Sequence, residues 1–173
     1  MAWIVKNSAQ DQQQRDEPYL DKRLRQQLEQ KVVGRFPSRQ AATLPVLHAI
    51  QEEHGWLPHQ AIAEAADFLE VSAVEVLDTA SFYEEFWLEP KGKYVIWICQ
   101  SLACELLGHE RLLERISEKL GIVPGQSTDD GKFTLMIVEC LGSCGTAPCA
   151  LVNQTLHENL NAHNLDEILD SLE

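Results

Sequence analysis

At 173 residues, 45% of them apolar, the chain is long enough to bury a core without disulfide staples. Fourteen basic against twenty-seven acidic residues leave a net charge of −13, which repels phosphate backbones and anionic lipid and so excludes nucleic-acid binding and direct membrane insertion. No apolar run approaches a bilayer span, the N-terminus lacks a secretory pattern, and all five cysteines fall between positions 99 and 149, which predicts a cytoplasmic protein with one localised thiol site.

Residues 1–19 are polar and Gln-rich and predict a flexible tail or an arm that orders on a partner. A helical domain follows over 20–89. Leu20, Leu24, Leu28 and Val32 make one stripe ended by Gly34, and Ser38 caps a second helix with Ala41, Leu44, Leu47 and Ile50 inward and Pro45 as a kink or first-turn irregularity. A third helix is expected over Pro58 to Leu69. In a fourth, the Ser72–Glu75 capping box precedes Val74, Val76, Leu77 and Ala80.

A second domain is expected over 90–173. Tyr94 to Ile98 is a continuous β-prone run of the kind buried on both faces of a sheet. Leu106, Leu107, Leu112, Leu113, Ile116 and Leu120 then recur at helical spacing to Gly121, and Asp130-Gly131 turns the chain into a second strand, Phe133 to Glu139. A hairpin around Ala150–Val152 and Leu156 and a last helix capped by Asn164 and Glu167 complete the pattern.

Four of the cysteines form two tight pairs, Cys99-Gln-Ser-Leu-Ala-Cys104 and Cys140-Leu-Gly-Ser-Cys144, each directly after a strand. If the strands are parallel neighbours joined by the intervening helix, both loops emerge at the carboxyl edge of the sheet and the pairs meet. Structural zinc usually takes cysteines two to four residues apart, often with histidine, so the wide first gap favours iron and sulfide. Such a four-thiolate [2Fe–2S] centre carries a formal charge of about −2 oxidised and about −3 reduced, which the chain must offset with backbone amides. Gly142 and Gly145 are expected to let those amides approach the sulfurs. Cys149, after Pro148 and at the head of an apolar run, reads as a surplus thiol acting as a small core residue.

Three rivals are weaker. A thiol–disulfide oxidoreductase needs Cys-x-x-Cys, which is absent; a Rieske centre needs two histidines near the cysteines, and neither loop holds one; a zinc-stabilised interaction module remains as a colourless alternative. His48, His54, His59 and His109 read as surface or cap residues. Trp56, Phe82, Tyr83, Phe86 and Trp87 read as core and interdomain packing, with part of them free to face a partner.

Residues from about 41 to 153 resemble a known family. The likeness runs through Leu47-His-Ala-Ile-Gln-Glu-Glu-His-Gly-Trp56, Ser81-Phe-Tyr83, Pro90-Lys-Gly-Lys-Tyr94, the Cys99/Cys104 pair, Asp130-Gly-Lys-Phe-Thr-Leu135 and Glu139-Cys-Leu-Gly-Ser-Cys-Gly-Thr-Ala-Pro148. These segments are similar to the small iron–sulfur subunit of NADH–quinone oxidoreductase (respiratory complex I) and to its relatives in NAD-linked hydrogenases and formate dehydrogenases. The resemblance implies an α/β chain, a helical bundle followed by a thioredoxin-like [2Fe–2S] ferredoxin domain, in which Cys99, Cys104, Cys140 and Cys144 hold one cluster. It also implies an oxidoreductase subunit with no NADH or quinone site of its own. The cluster would exchange an electron with FMN on a partner flavoprotein that binds NADH, in the peripheral arm of a membrane complex at its cytoplasmic face. The chain departs from the family pattern at Ser81, Gln154 and Cys149.

Overall fold

A computed structural model describes residues 15–172. The expected tail over 1–19 lies mostly outside them. The chain divides into two compact units after Pro90.

The first unit is helical. Its helices are α1 (Lys22–Lys31), α2 (Thr43–His54), α3 (His59–Leu69) and α4 (Ala73–Phe82), with short 3₁₀ turns at Val33–Arg35 and Gln40–Ala42. Asp21 caps α1 by accepting from the Leu24 amide, and Leu20, Leu24 and Leu28 are buried as their spacing predicts. In α2 the buried face is Val46, Leu47 and Ile50, while Ala41 and Leu44 are exposed. Ser38 caps only the preceding 3₁₀ turn, accepting from Ala41 N at 3.2 Å, so the helix proper starts later and its inward face is rotated from the expected one. Pro45 stands in the first turn, where no intrahelical amide bond is lost, so it causes no kink.

Ser72 and Glu75 form the expected capping box at α4. Its buried face is Val76 and Ala80, and Phe82, two residues beyond Ala80, projects to the other side of the helix and is 78% exposed. Tyr83 is exposed as well, so of the aromatic residues expected to pack, Phe86 alone is fully buried. Ahead of α1, Arg15 bonds Gln60 and lies over the Tyr19 ring, and His54 Nε2 meets Tyr19 O at 2.8 Å, which fixes the approach to the bundle.

The second unit is a four-stranded mixed sheet with helices. Strands β1 (Tyr94–Cys99), β2 (Phe133–Val138), β3 (Ala150–Val152) and β4 (Thr155–His157) lie in the order β2-β1-β3-β4. β1 is central and buried along nearly its whole length. It runs parallel to β2, with Cys99 opposite Val138, and antiparallel to β3, with Ile98 opposite Ala150. The crossover from β1 to β2 is two helices, α5 (Leu102–Leu106) and α6 (His109–Leu120), broken at Gly108, whose φ of +98° is left-handed. That break corrects the expectation of one helix: Leu112 and Ile116 are buried, but Leu106 and Leu107 are exposed. His109 is buried at the start of α6 rather than on the surface.

The last helix, α7 (Ala162–Ser171), is capped by Asn161 and Asn164, one turn earlier than the Asn164 and Glu167 pair expected, because Asn161 already accepts from the His163 and Asn164 amides. Arg115 of α6 clamps Asp166 of α7 with three short contacts and ties the two helices together.

Gly92 leads into β1 where backbone crosses backbone. Its N–H donates to Thr134 Oγ1 at 2.6 Å, and a β-carbon at this position would stand 2.7 Å from the Phe133 carbonyl carbon. Gly92→Ala therefore forces apart the entry of β1 and the start of β2. Equilibrium denaturation should show a loss of about 1–3 kcal/mol, and an unchanged midpoint would contradict this close approach.

Candidate metal centre

Both cysteine loops leave the sheet at the carboxyl ends of the parallel strands. Cys99 is the last residue of β1 and Cys104 lies in α5, both buried; Cys140 follows β2 and Cys144 opens a 3₁₀ turn, both exposed. The loops are stitched to each other beyond the strands: Gln100 N donates to Val138 O at 2.9 Å, Gln100 Nε2 donates to Glu139 Oε1 at 2.7 Å, and Cys99 Sγ lies 3.6 Å from Glu139 O. The four expected ligands thus form a buried inner pair and an exposed outer pair at one edge of the sheet.

The fifth thiol belongs to the same neighbourhood. Cys149 Sγ is 3.8 Å from Cys104 Sγ, and the sulfurs of Cys99, Cys104 and Cys149 all lie within 4.8 Å of one another. It is buried, as a small core residue would be, but the core it joins is the cysteine cluster with Leu141 and Ala147 around it. Sequence reasoning missed this proximity. The antiparallel pairing of β3 with β1 brings it there, setting Cys149 beside Cys99 with Cys99 N donating to Cys149 O at 3.2 Å, and no local sequence pattern announces that register.

Amide donors separate the five sulfurs. Burial pushes the Cys99 thiol up, yet the Ser101 and Leu141 amides that bond its sulfur hold it below the ordinary cysteine range. Cys104 is raised, first by burial and then by its bond to Cys99, while the Cys149 amide works the other way. Cys140 accepts from Gly142 N at 3.3 Å. Cys144 is raised by its bond to Cys140, the Cys140 charge and burial, with a further contribution from Cys99 across the loops and an opposing bond from its own amide. No backbone amide favours the thiolate of Cys149: burial, then contact with Cys104, pushes it up to about 12. Each of the four cysteines of the two pairs accepts an amide hydrogen bond; at Cys99 these bonds bring the thiol below its ordinary range, while Cys104 and Cys144 stay above it, as Cys149 does.

The outer pair is spaced as two ligands of one tetrahedral ion would be, and so are the Cys104 and Cys149 sulfurs at 3.8 Å. Two thiolates at about 2.3 Å from one tetrahedral ion stand about 3.8 Å apart, and the Cys140 and Cys144 sulfurs are 3.9 Å apart. Gly142 serves the outer loop through its φ of +75°, since a β-carbon there would meet nothing within 4 Å; the need is for a left-handed turn rather than for space. Gly145 has neither a left-handed φ nor a close neighbour, so the approach expected of it is not seen.

Glu158, just after β4, fastens the outer loop. Its carboxylate accepts from the hydroxyls of Ser143 and Thr146 on either side of Cys144, and these bonds hold it below the usual glutamate range. The next two amides continue the strap, Asn159 N to Thr146 O at 2.7 Å and Leu160 N to Pro148 O at 2.9 Å. No spacing in the sequence announces this contact.

A parallel strand pair with two thiol loops at its carboxyl edge, backed by an antiparallel hairpin, defines a thioredoxin-like iron–sulfur protein. The family model of the thioredoxin-like [2Fe-2S] ferredoxin matches residues 29–173, and the chain belongs to that family. It is 43% identical over 138 residues to the NADH-quinone oxidoreductase subunit named E 2 of Rhizobium meliloti, covering 80% of this chain and 82% of that protein. To the NADH-quinone oxidoreductase subunit named E of Aquifex aeolicus it is 39% identical over 140 residues, covering 81% and 88%. Among solved structures it is similar to an NAD+-reducing [NiFe]-hydrogenase, at a TM-score of 0.65 and 28% identity over 73% of this chain, which spans 22% of that hydrogenase chain. Among the described residues no helix is long and apolar enough to cross a membrane.

Because residues that orient ligands typically change metal affinity by 10–100-fold, Glu158→Gln should release iron to a chelator roughly tenfold faster or more. Unaltered bleaching kinetics would show that the strap does not hold the outer pair.

Proposed function

We propose that this chain is the [2Fe–2S] electron-transfer subunit of an NADH–quinone oxidoreductase of the complex I type. Cys99 and Cys104 hold one iron and Cys140 and Cys144 the other. The observation that carries the ligand assignment is topological: the two loops that leave the parallel strands β1 and β2 at the same edge of the sheet carry one pair each, Cys99 with Cys104 and Cys140 with Cys144, whereas Cys149 precedes the antiparallel strand β3. When bound, the cluster supplies one-electron storage between two adjacent oxidation states.

The chain's own groups do the rest. The Ser101, Leu141 and Gly142 amides face ligand sulfur and offset the negative charge that an added electron increases. Burial of Cys99 and Cys104 keeps water from the inner side, while the exposed outer pair leaves a short path to a partner. That partner is a flavoprotein that carries FMN and oxidises NADH. Leu102, Leu106 and Leu107 support its docking near the inner pair: three exposed leucines on and just after α5, the helix that holds Cys104, form an apolar patch suited to a protein interface. The assembly sits at the cytoplasmic face of the membrane through its other components. Complex I is favoured over a hydrogenase because the NADH-quinone oxidoreductase relatives from Rhizobium meliloti and Aquifex aeolicus match across more than four-fifths of their own length, against about a fifth of the hydrogenase chain.

The test is the chain loaded with iron and sulfide. Cys149→Ser should keep the visible absorbance and the EPR signal on one-electron reduction, and Cys144→Ser should lose both. The reverse pattern would overturn the ligand set. A colourless protein that retains zinc would overturn the electron-transfer function.

A further inference from the structure

We propose that Cys149 is an internal hydrogen-bond donor that raises the midpoint potential of the cluster by sharing its thiol proton with Sγ of Cys104. The inference rests on the ligand set proposed above and concerns a residue outside that set.

Geometry places the thiol where it has little choice of acceptor. Cys149 is 1% exposed, and its sulfur lies 3.8 Å from Cys104 Sγ and within 4.8 Å of Cys99 Sγ. The residue also grips the inner loop through its main chain, since its carbonyl accepts from Cys99 N at 3.2 Å and its amide bonds the Cys104 sulfur. Both bonds fix the backbone from which the side chain projects, so the thiol is aimed at the inner pair rather than resting against it by chance. Around it stand Leu141 and Ala147, whose side chains accept no proton. Among the described residues, the hydrogen-bonding side-chain neighbours of this S–H are the sulfurs of Cys104 and Cys99.

A proton held toward a ligand sulfur stabilises whichever oxidation state puts more negative charge on that sulfur, and for an iron–sulfur cluster this is the reduced state. The donor therefore makes reduction easier. Replacing the thiol by a methyl group removes the donor, leaves the four ligands in place and moves the potential to a more negative value. A serine hydroxyl is a stronger donor than a thiol and nearly its shape, so it keeps the potential at or above the native one.

The experiment is an EPR-monitored redox titration of the loaded full-length chain with Cys149→Ala and Cys149→Ser, beside the S–H stretching band of the loaded native protein in the infrared. The expected result is a coloured Cys149→Ala protein with a more negative midpoint, a Cys149→Ser protein at or above the native midpoint, and a native S–H band displaced below the frequency of a free thiol. An unmoved midpoint in the alanine variant, or equal displacement by alanine and serine, overturns the donor role while leaving the ligand set standing. Loss of colour in both variants while Cys144→Ser stays coloured overturns the ligand set itself. The infrared band needs no variant to fold: a band at the free-thiol frequency, or none at all, contradicts the shared proton.

Discussion

Everything at the metal centre depends on β1 and β2 running parallel in register. With Cys99 opposite Val138, the chain must leave both strands at the same edge, and the two cysteine loops have one place to go. An antiparallel pair would send them to opposite ends of the sheet, with the same cysteines and the same spacing. The crossover that permits parallel pairing is the α5–α6 segment, and the short bonds from Gln100 to Val138 and Glu139 extend the pairing past the last strand residue into the loops themselves.

The second constraint is charge. A chain with a net charge of −13 must stabilise a buried anion without any basic side chain among its ligand loops. It uses backbone amides, which donate from fixed positions and add no charge to the surface. Ser101 and Leu141 serve Cys99, so one donor comes from each loop and the anionic sulfur itself helps hold the loops together. Burial works against all of this, raising the thiols at Cys104 and Cys149, and backbone amides oppose it at Cys99 and Cys104.

Much of this was legible in the sequence, for identifiable reasons. The run Tyr94 to Ile98 reads as a buried strand because nothing polar interrupts it, and Asp130-Gly131 marks the start of the next; with a helix between them, parallel pairing and converging loops follow. The misses have identifiable causes too, two of them local and two set by tertiary structure. Leu106, Leu107 and Leu112 keep a helical rhythm across Gly108, so periodicity alone cannot show that the chain breaks there and leaves the first two exposed. Asn161 and Asn164 compete for the same cap, and three-residue spacing points equally well to the later one. Cys149 reads as core because its flanks are apolar; its position beside Cys99 depends on a strand register no local pattern encodes. Glu158 reaches Ser143 and Thr146 only after the β3–β4 hairpin folds back.

The central claim is that one di-iron cluster is held between the inner and outer pairs. Iron-edge anomalous diffraction from crystals of the loaded chain tests it most directly. The account predicts two adjacent iron peaks, one bound by Cys99 and Cys104 and the other by Cys140 and Cys144, with Cys149 bound to neither. A single peak enclosed by Cys99, Cys104 and Cys149 would contradict it.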